Sequence, residues 1–302
     1  MFNLTENIPC FLTYCKCRKA LNPKTIKAYT IDLKQFQDIT DNTYSKESIS
    51  SYLSFLHNIY KPKTIKRKIA TLKAFTHYLL IEEIIEHNPF DRIDTSFRQP
   101  LILPKTIPLN IINDIISSAY KEYNKADTDY RKRCVKRDIA VIEMLFATGA
   151  RVSEICNLTT STIDLRNHTI KIFGKGSKER IIQIENPDVL KAVTEYYSLF
   201  QSHIASSGFF FVNRLQRQLT DQSVRAIICK YTTLAGHSMH ITPHMFRHSF
   251  ATLLLEEDVD IRYIQKLLGH SSITTTQIYT HVTSAKQKEI LAAKHPRNKI
   301  CI

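Results

Sequence analysis

Thr242-Pro243-His244-Met245-Phe246-Arg247-His248-Ser249-Phe250-Ala251-Thr252 reads as the opening of a helix. Thr242 suits the N-cap and Pro243 the first helical position, where its missing N–H costs nothing. His244 and Arg247 then lie three apart on one face with His248 beside them, while Phe246 and Phe250 turn toward the core. The separation of His244 and His248 matches a zinc-protease helix, but Met245 stands where such a site needs a glutamate as its base.

The same handling of polar groups recurs on either side. In Leu267-Leu268-Gly269-His270-Ser271-Ser272-Ile273-Thr274-Thr275-Thr276-Gln277-Ile278-Tyr279-Thr280-His281, Gly269 ends a helix. His270 takes the corner, and Ser272 or Thr274 starts a further helix carrying Tyr279. Taken alone, Tyr279 reads as an amphipathic core tyrosine. Upstream, in Ala147-Thr148-Gly149-Ala150-Arg151-Val152-Ser153-Glu154, Gly149 ends a helix and the next begins at once. Arg151 is then expected in a first turn, beside free backbone donors. Between these lies a hairpin, His168 to Phe173 and Arg180 to Ile184, joined by the turn Gly174-Lys175-Gly176-Ser177-Lys178. Lys175 rides on that turn, which lacks the spacing of a nucleotide phosphate loop. Helical periodicity covers Leu109 to Tyr120, Asp138 to Phe146, Val189 to Phe200, Ser223 to Leu234, Pro243 to Glu256 and Ile261 to Leu268.

The first hundred residues read as short helices. One opens at Asn22-Pro23-Lys24-Thr25, with Thr25 as its expected N-cap and Tyr29, Leu33 and Phe36 on one stripe. Another opens at Lys61-Pro62-Lys63-Thr64, with Ile65, Ile69, Leu72, Phe75, Tyr78 and Leu79 at helical spacing. Six basic residues and no acid fall between Lys61 and Lys73, either a solvated face or one that tracks phosphates. Lys24, Lys27, Lys63, Lys66 and Arg67 are the candidate DNA-binding residues. Asn88-Pro89 closes this region, and the two prolines of Arg98-Gln99-Pro100-Leu101-Ile102-Leu103-Pro104 resist regular structure. The expected division is a helical domain over 1–97, a linker over 98–106 and a second domain over 107–302.

Forty-two Lys and Arg against 28 Asp and Glu give a formal charge of +14, which favours a polyanionic partner. With 43% hydrophobic and 23% charged residues the chain has ample core material, and wholesale disorder is excluded. No apolar run reaches the ~20 residues that span a bilayer. The opening MFNLTENIPCFLTYCKCRKA lacks the basic segment and apolar core of a signal peptide. The seven cysteines are irregularly spaced and read as reduced thiols of a cytoplasmic protein rather than a zinc knuckle.

In chain order, Arg151, Lys175, His244, Arg247, His270 and Tyr279 form the set Arg, Lys, His-x-x-Arg, His, Tyr. On these residues the chain resembles the tyrosine recombinases, most strongly the bacterial Xer-type enzymes and the short phage and transposon integrases. The likeness extends over TGARVSE, GKGSKER, HMFRHSFAT, LGHSSITTTQIYTHV and the terminal KHPR. Phe246 in place of the more usual Leu, and the closing NKICI, depart from the pattern without touching a chemical group.

The resemblance implies a mainly α fold, with an N-terminal helical core-binding, SAM-like domain. The catalytic domain that follows would be mostly helical, with a small antiparallel β-sheet. It implies that Tyr279 attacks a DNA phosphodiester, that Arg151 and Arg247 clamp the phosphate, and that His244, His270 and Lys175 manage protons. Glu154 would orient His244. No cofactor and no metal are implied. The partners would be double-stranded DNA, clamped between the domains, and three further protomers. These would form a homotetramer, or a heterotetramer with a second recombinase, in which the segment from about Ser284 docks into a neighbour. Two other readings remain: a type IB topoisomerase, and a DNA-binding protein without catalysis.

Overall fold

The computed structural model describes residues 3–97, 104–174 and 179–269. The chain divides into two compact units, Met1–Leu101 and Ile102–Ile302. None of the described helices is long and apolar enough to cross a membrane.

The first unit packs four helices, α1 (Leu4–Cys17), α2 (Pro23–Ile39), α3 (Lys46–Ile59) and α4 (Pro62–Ile81). Proline sets the start of α2 and α4, its fixed φ suiting the first helical position. Asn22, not Thr25, caps α2: its Oδ1 accepts from the Lys24 amide at 2.9 Å. The expected cap falls inside the helix because Pro23 begins it two residues earlier. Leu33, Phe36, Leu56, Leu72 and Phe75 are essentially inaccessible. Burying each such side chain contributes roughly 1.5–3 kcal/mol.

A polar network crosses this core. Asp32 on α2 is buried and accepts from Lys68 Nζ at 2.9 Å, from Thr71 Oγ1 at 3.0 Å, and from Arg67. Lys68 therefore belongs to the interior, although it lies in the basic run that reads as a single surface face. Helix periodicity turns it inward, between Ile65 and Leu72.

The second unit comprises α5 (Leu109–Asn124), α6 (Asp129–Thr148), α7 (Val152–Cys156), then β1 (Ile163–Asp164), β2 (Thr169–Phe173) and β3 (Glu179–Gln183). It continues with α8 (Pro187–Ser207), α9 (Asp221–Leu234), α10 (Pro243–Glu256) and α11 (Ile261–Leu268). The strands form one antiparallel sheet in the order β1-β2-β3, with Ile170 opposite Ile182 on β3 and Ile163 on β1. The hairpin stands where sequence alternation puts it. β1 has two residues, too few for a periodic signal. Helix α6 runs through the centre of this unit, packed by α5, α8, α9 and α10, with Ile139 to Leu145 almost wholly buried. It starts nine residues before the expected Asp138. The early turns are rich in Lys and Arg, which hides their apolar side.

Candidate active site

The site begins at the C-terminus of α6. Gly149 ends that helix in the left-handed region, at φ +55°. A Cβ there would stand 2.4 Å from Phe250 Cδ1 and 3.1 Å from Leu268 Cδ2. Only glycine lets α6 turn this tightly against α10 and α11.

Two residues on, Arg151 is the N-cap of α7 rather than part of its first turn. Its amide is not a free donor, for it bonds Glu154 Oε2 at 2.8 Å, and its Nη1 bonds Oε1 at 2.7 Å. One third of the Arg151 side chain remains exposed.

Helix α10 begins at Pro243, with Thr242 at the N-cap but making no side-chain capping bond. His244 is exposed at the start of this helix. Arg247, one turn along, is buried. Its Nη1 donates to the Gly149 carbonyl at 2.9 Å and its Nη2 to the Leu268 carbonyl at 2.7 Å. The guanidinium is thus fixed by the ends of two helices, α6 and α11, whose partial negative charge favours it. His248 is half-buried in the same place. Burial first, then the nearby His244 and Arg247, bring its pKa down to about 4, so it is neutral at pH 7.

Sequence reasoning assigned no role to Arg180, which the structure puts beside these groups. Its Nη1 and Nη2 donate to Glu154 Oε1 and Oε2 at 3.1 and 2.7 Å, and its Nε to the Leu267 carbonyl at 2.7 Å. Both oxygens of Glu154 are therefore engaged by arginines 151 and 180, a different set of partners from the histidine expected. Burial pushes the Glu154 carboxyl up, but the hydrogen bonds from Arg180 and Arg151 outweigh it and hold the group below the usual range.

The fold thus gathers Arg151, Glu154, Arg180, His244, Arg247 and His248 around two glycine corners. Lys175, His270 and Tyr279 lie outside the described residues. Lys175 follows Gly174 directly, and His270 follows Gly269, the αL cap of α11 at φ +65°.

Lys24, Lys27, Lys63, Lys66 and Arg67 are all exposed in the first unit. Along α2, Tyr29 stacks on Phe11, which also meets Phe75 and Tyr78; Asp32 meets residues 67–71, and Gln35 meets Lys68 and Tyr60. The two helices are therefore antiparallel. Lys24 and Lys27 stand at the opposite end of the pair from Lys63 and Lys66. Arg67 is held by Asp32, with nearly half of its side chain exposed.

Comparison with known proteins identifies the family. Residues 111–286 match the phage integrase family, and residues 8–83 match the N-terminal SAM-like domain of phage integrases. A tyrosine recombinase of Agathobacter rectalis is 52% identical over 301 residues, 98% of each chain. The chain belongs to the phage integrase family. It is a tyrosine recombinase, and an Xer-like one: XerD of Listeria monocytogenes is 35% identical over 306 residues, covering 97% of this chain and 100% of the relative. Among solved structures, the recombinase XerH bound to palindromic difH substrate, a post-cleavage complex, superposes with a TM-score of 0.75 at 21% identity. That likeness covers 93% of this recombinase and 83% of XerH, and concerns the fold.

Proposed function

We propose that Tyr279 of this recombinase attacks a phosphodiester of double-stranded DNA. A Tyr279–phosphorus bond forms at the 3′ side and the bond to the 5′-oxygen breaks. His244 takes the phenolic proton, needed because a phenol of pKa ~10 is a weak nucleophile at neutral pH. Arg151 and Arg247 hold the non-bridging oxygens and His270 donates to one of them, opposing the charge that builds in the transition state. Lys175 protonates the departing 5′-oxygen. Attack by a partner's 5′-hydroxyl reverses these bonds and returns the tyrosine, so rejoining requires no ATP.

The observation that carries this reading is the convergence of Arg151, His244 and Arg247 at the junction of α6, α7 and α10. The two arginines there differ in exposure. Arg247 is anchored and Arg151 is open to the outside.

Four protomers on two DNA sites, in the cytoplasm, complete the reading. Each would receive a neighbour's C-terminal segment in a groove of about 530 Å³ lined by Leu109, Ile116, Phe146, Leu253 and Leu254. Glu143, Asp188 and Glu257 add acid to that groove. Residues 284–302 carry Lys286, Lys288, Lys294, Arg297 and Lys299 against one acid, Glu289, a charge that complements it. Removing residues 284–302 should therefore leave Tyr279 in place but prevent assembly on paired sites.

Trapping protein–DNA adducts under denaturing conditions, from wild type and from Tyr279→Phe, tests the chemistry. Adducts at a few loci, formed only with Tyr279, are expected. Their position at a replication terminus, an invertible segment or an element end would distinguish dimer resolution, inversion and integration. No adducts from either protein would mean binding without catalysis.

A further inference from the structure

Arg180 touches three of the segments from which the site is built. Its side chain is about nine-tenths buried. Two of its nitrogens form a fork on Glu154, which holds Arg151, and its third bonds the Leu267 carbonyl. Gly269 lies directly on the guanidinium: a Cβ at that glycine would come within 3.0 Å of Arg180 Nη1. His270 is the next residue.

Arg180 also belongs to β3, opposite Ile172 of β2. Only one further pair, Phe173 and Glu179, separates it from the turn that carries Lys175. The base of that turn is tied by the ion pair of Lys171 with Glu179, at 2.6 Å. A shift of β3 along its length would therefore move the strand ends at Phe173 and Glu179, the Glu154–Arg151 pair and the Gly269 corner relative to one another.

We propose that Arg180 is a positioning residue that sets the Lys175 turn and the His270 corner against Arg151. This rests on the roles given to Lys175 and Tyr279 above. The function needs a guanidinium. Three N–H directions in one plane serve Glu154 and Leu267 together, whereas an ammonium is a compact charge without that fork. A buried ion pair adds little net stability compared with apolar packing, so its value here lies in fixing geometry.

The test uses the full-length protein and the DNA site recovered by adduct trapping. Cleavage is timed on two substrates, the normal phosphodiester and one with sulfur at the 5′-bridging position. A thiolate leaves without being protonated, so a fault in the lysine's placement is bypassed on the second substrate. For Arg180→Lys we expect cooperative unfolding, DNA affinity within about twofold of wild type, and phosphodiester cleavage slowed ~100-fold. On the sulfur substrate the loss should shrink to under ~10-fold, as it should for Lys175→Ala. Should Arg180→Lys fail to fold, Glu154→Gln, which keeps the shape and weakens the fork, takes its place with the same pattern expected.

Equal losses on both substrates, or none, would overturn the positioning role while Lys175→Ala still shows rescue. If Lys175→Ala itself is not rescued, the assignment of Lys175 fails and the role of Arg180 falls with it.

Discussion

Arg180 and Arg247 donate to adjacent carbonyls, those of Leu267 and Leu268, each at 2.7 Å in the last turn of α11. At their other ends they reach Glu154 on α7 and the carbonyl of Gly149, the residue that ends α6. Two arginines distant in sequence thus brace the same pair of chain reversals. The residue proposed to clamp the phosphate and the residue proposed to hold the frame use neighbouring acceptors at the end of one helix.

Gly149→Ala should destabilise the catalytic unit by about 2–4 kcal/mol, combining the left-handed backbone cost with overpacking. Gly208 caps α8 at φ +75°, yet a Cβ there meets nothing within 4 Å. Gly208→Ala should therefore cost only about 1–2 kcal/mol. Urea unfolding of both variants checks this, and equal losses would mean that the contact of Gly149 with Phe250 is unimportant.

Arg247→Lys should uncouple α11 from α6, since one ammonium cannot reproduce the two-ended bridge. Hydrogen exchange of residues 261–268 is expected to speed up, while α2 and α4 stay as protected as in wild type. Adduct formation should fall at least ~100-fold. Unchanged exchange in α11 would show that Leu268 does not depend on Arg247 for its place.

His248 predicts an acid-side weakness. Its folded pKa of about 4 lies below the unfolded value near 6.5. Between these the unfolded chain takes up a proton that the folded one refuses, so stability falls as pH drops below 6.5. The slope is at most about 1.4 kcal/mol per pH unit. Urea midpoints from pH 7 to pH 4 should show this slope in wild type and lose that share of it in His248→Gln.

The basic run on α4 should separate into two classes. Lys63→Ala with Lys66→Ala should weaken DNA binding and lower the salt dependence by about one to two units of log–log slope, with stability unchanged. Lys68→Ala should instead destabilise the first unit by about 1–3 kcal/mol, because Asp32 loses its buried cation and keeps Arg67 and Thr71. Binding titrations at several salt concentrations, alongside thermal unfolding, distinguish them.

Local signals made most of this fold legible. Pro243 and the residue pattern after it set the ends of α10, and Gly269 marks the end of α11, because capping and termination depend on residues within one turn. Thr25 was overridden by Asn22 and Pro23, a competition between two adequate starts. The six ordered residues proposed for the site could be picked out because family chemistry calls for those types in that order; of them Arg151, His244 and Arg247 fall among the described residues. Arg180 was not picked out, although it stands in the quoted GKGSKER. A charge beside a hairpin turn says nothing of Glu154 and Leu267, and such partners become neighbours only through the fold. Lys68 is the same case in the first unit, one of six basic residues in its run, and its partner Asp32 sits on another helix.

Arg247 is held by main-chain oxygens. A carbonyl persists whatever side chain its residue carries, so substitutions at many neighbouring positions leave both acceptors in place. Side-chain drift around the site can thus proceed without disturbing that anchor. What such drift cannot cross is the pair of chain reversals themselves, where Gly149 has no room for a side chain.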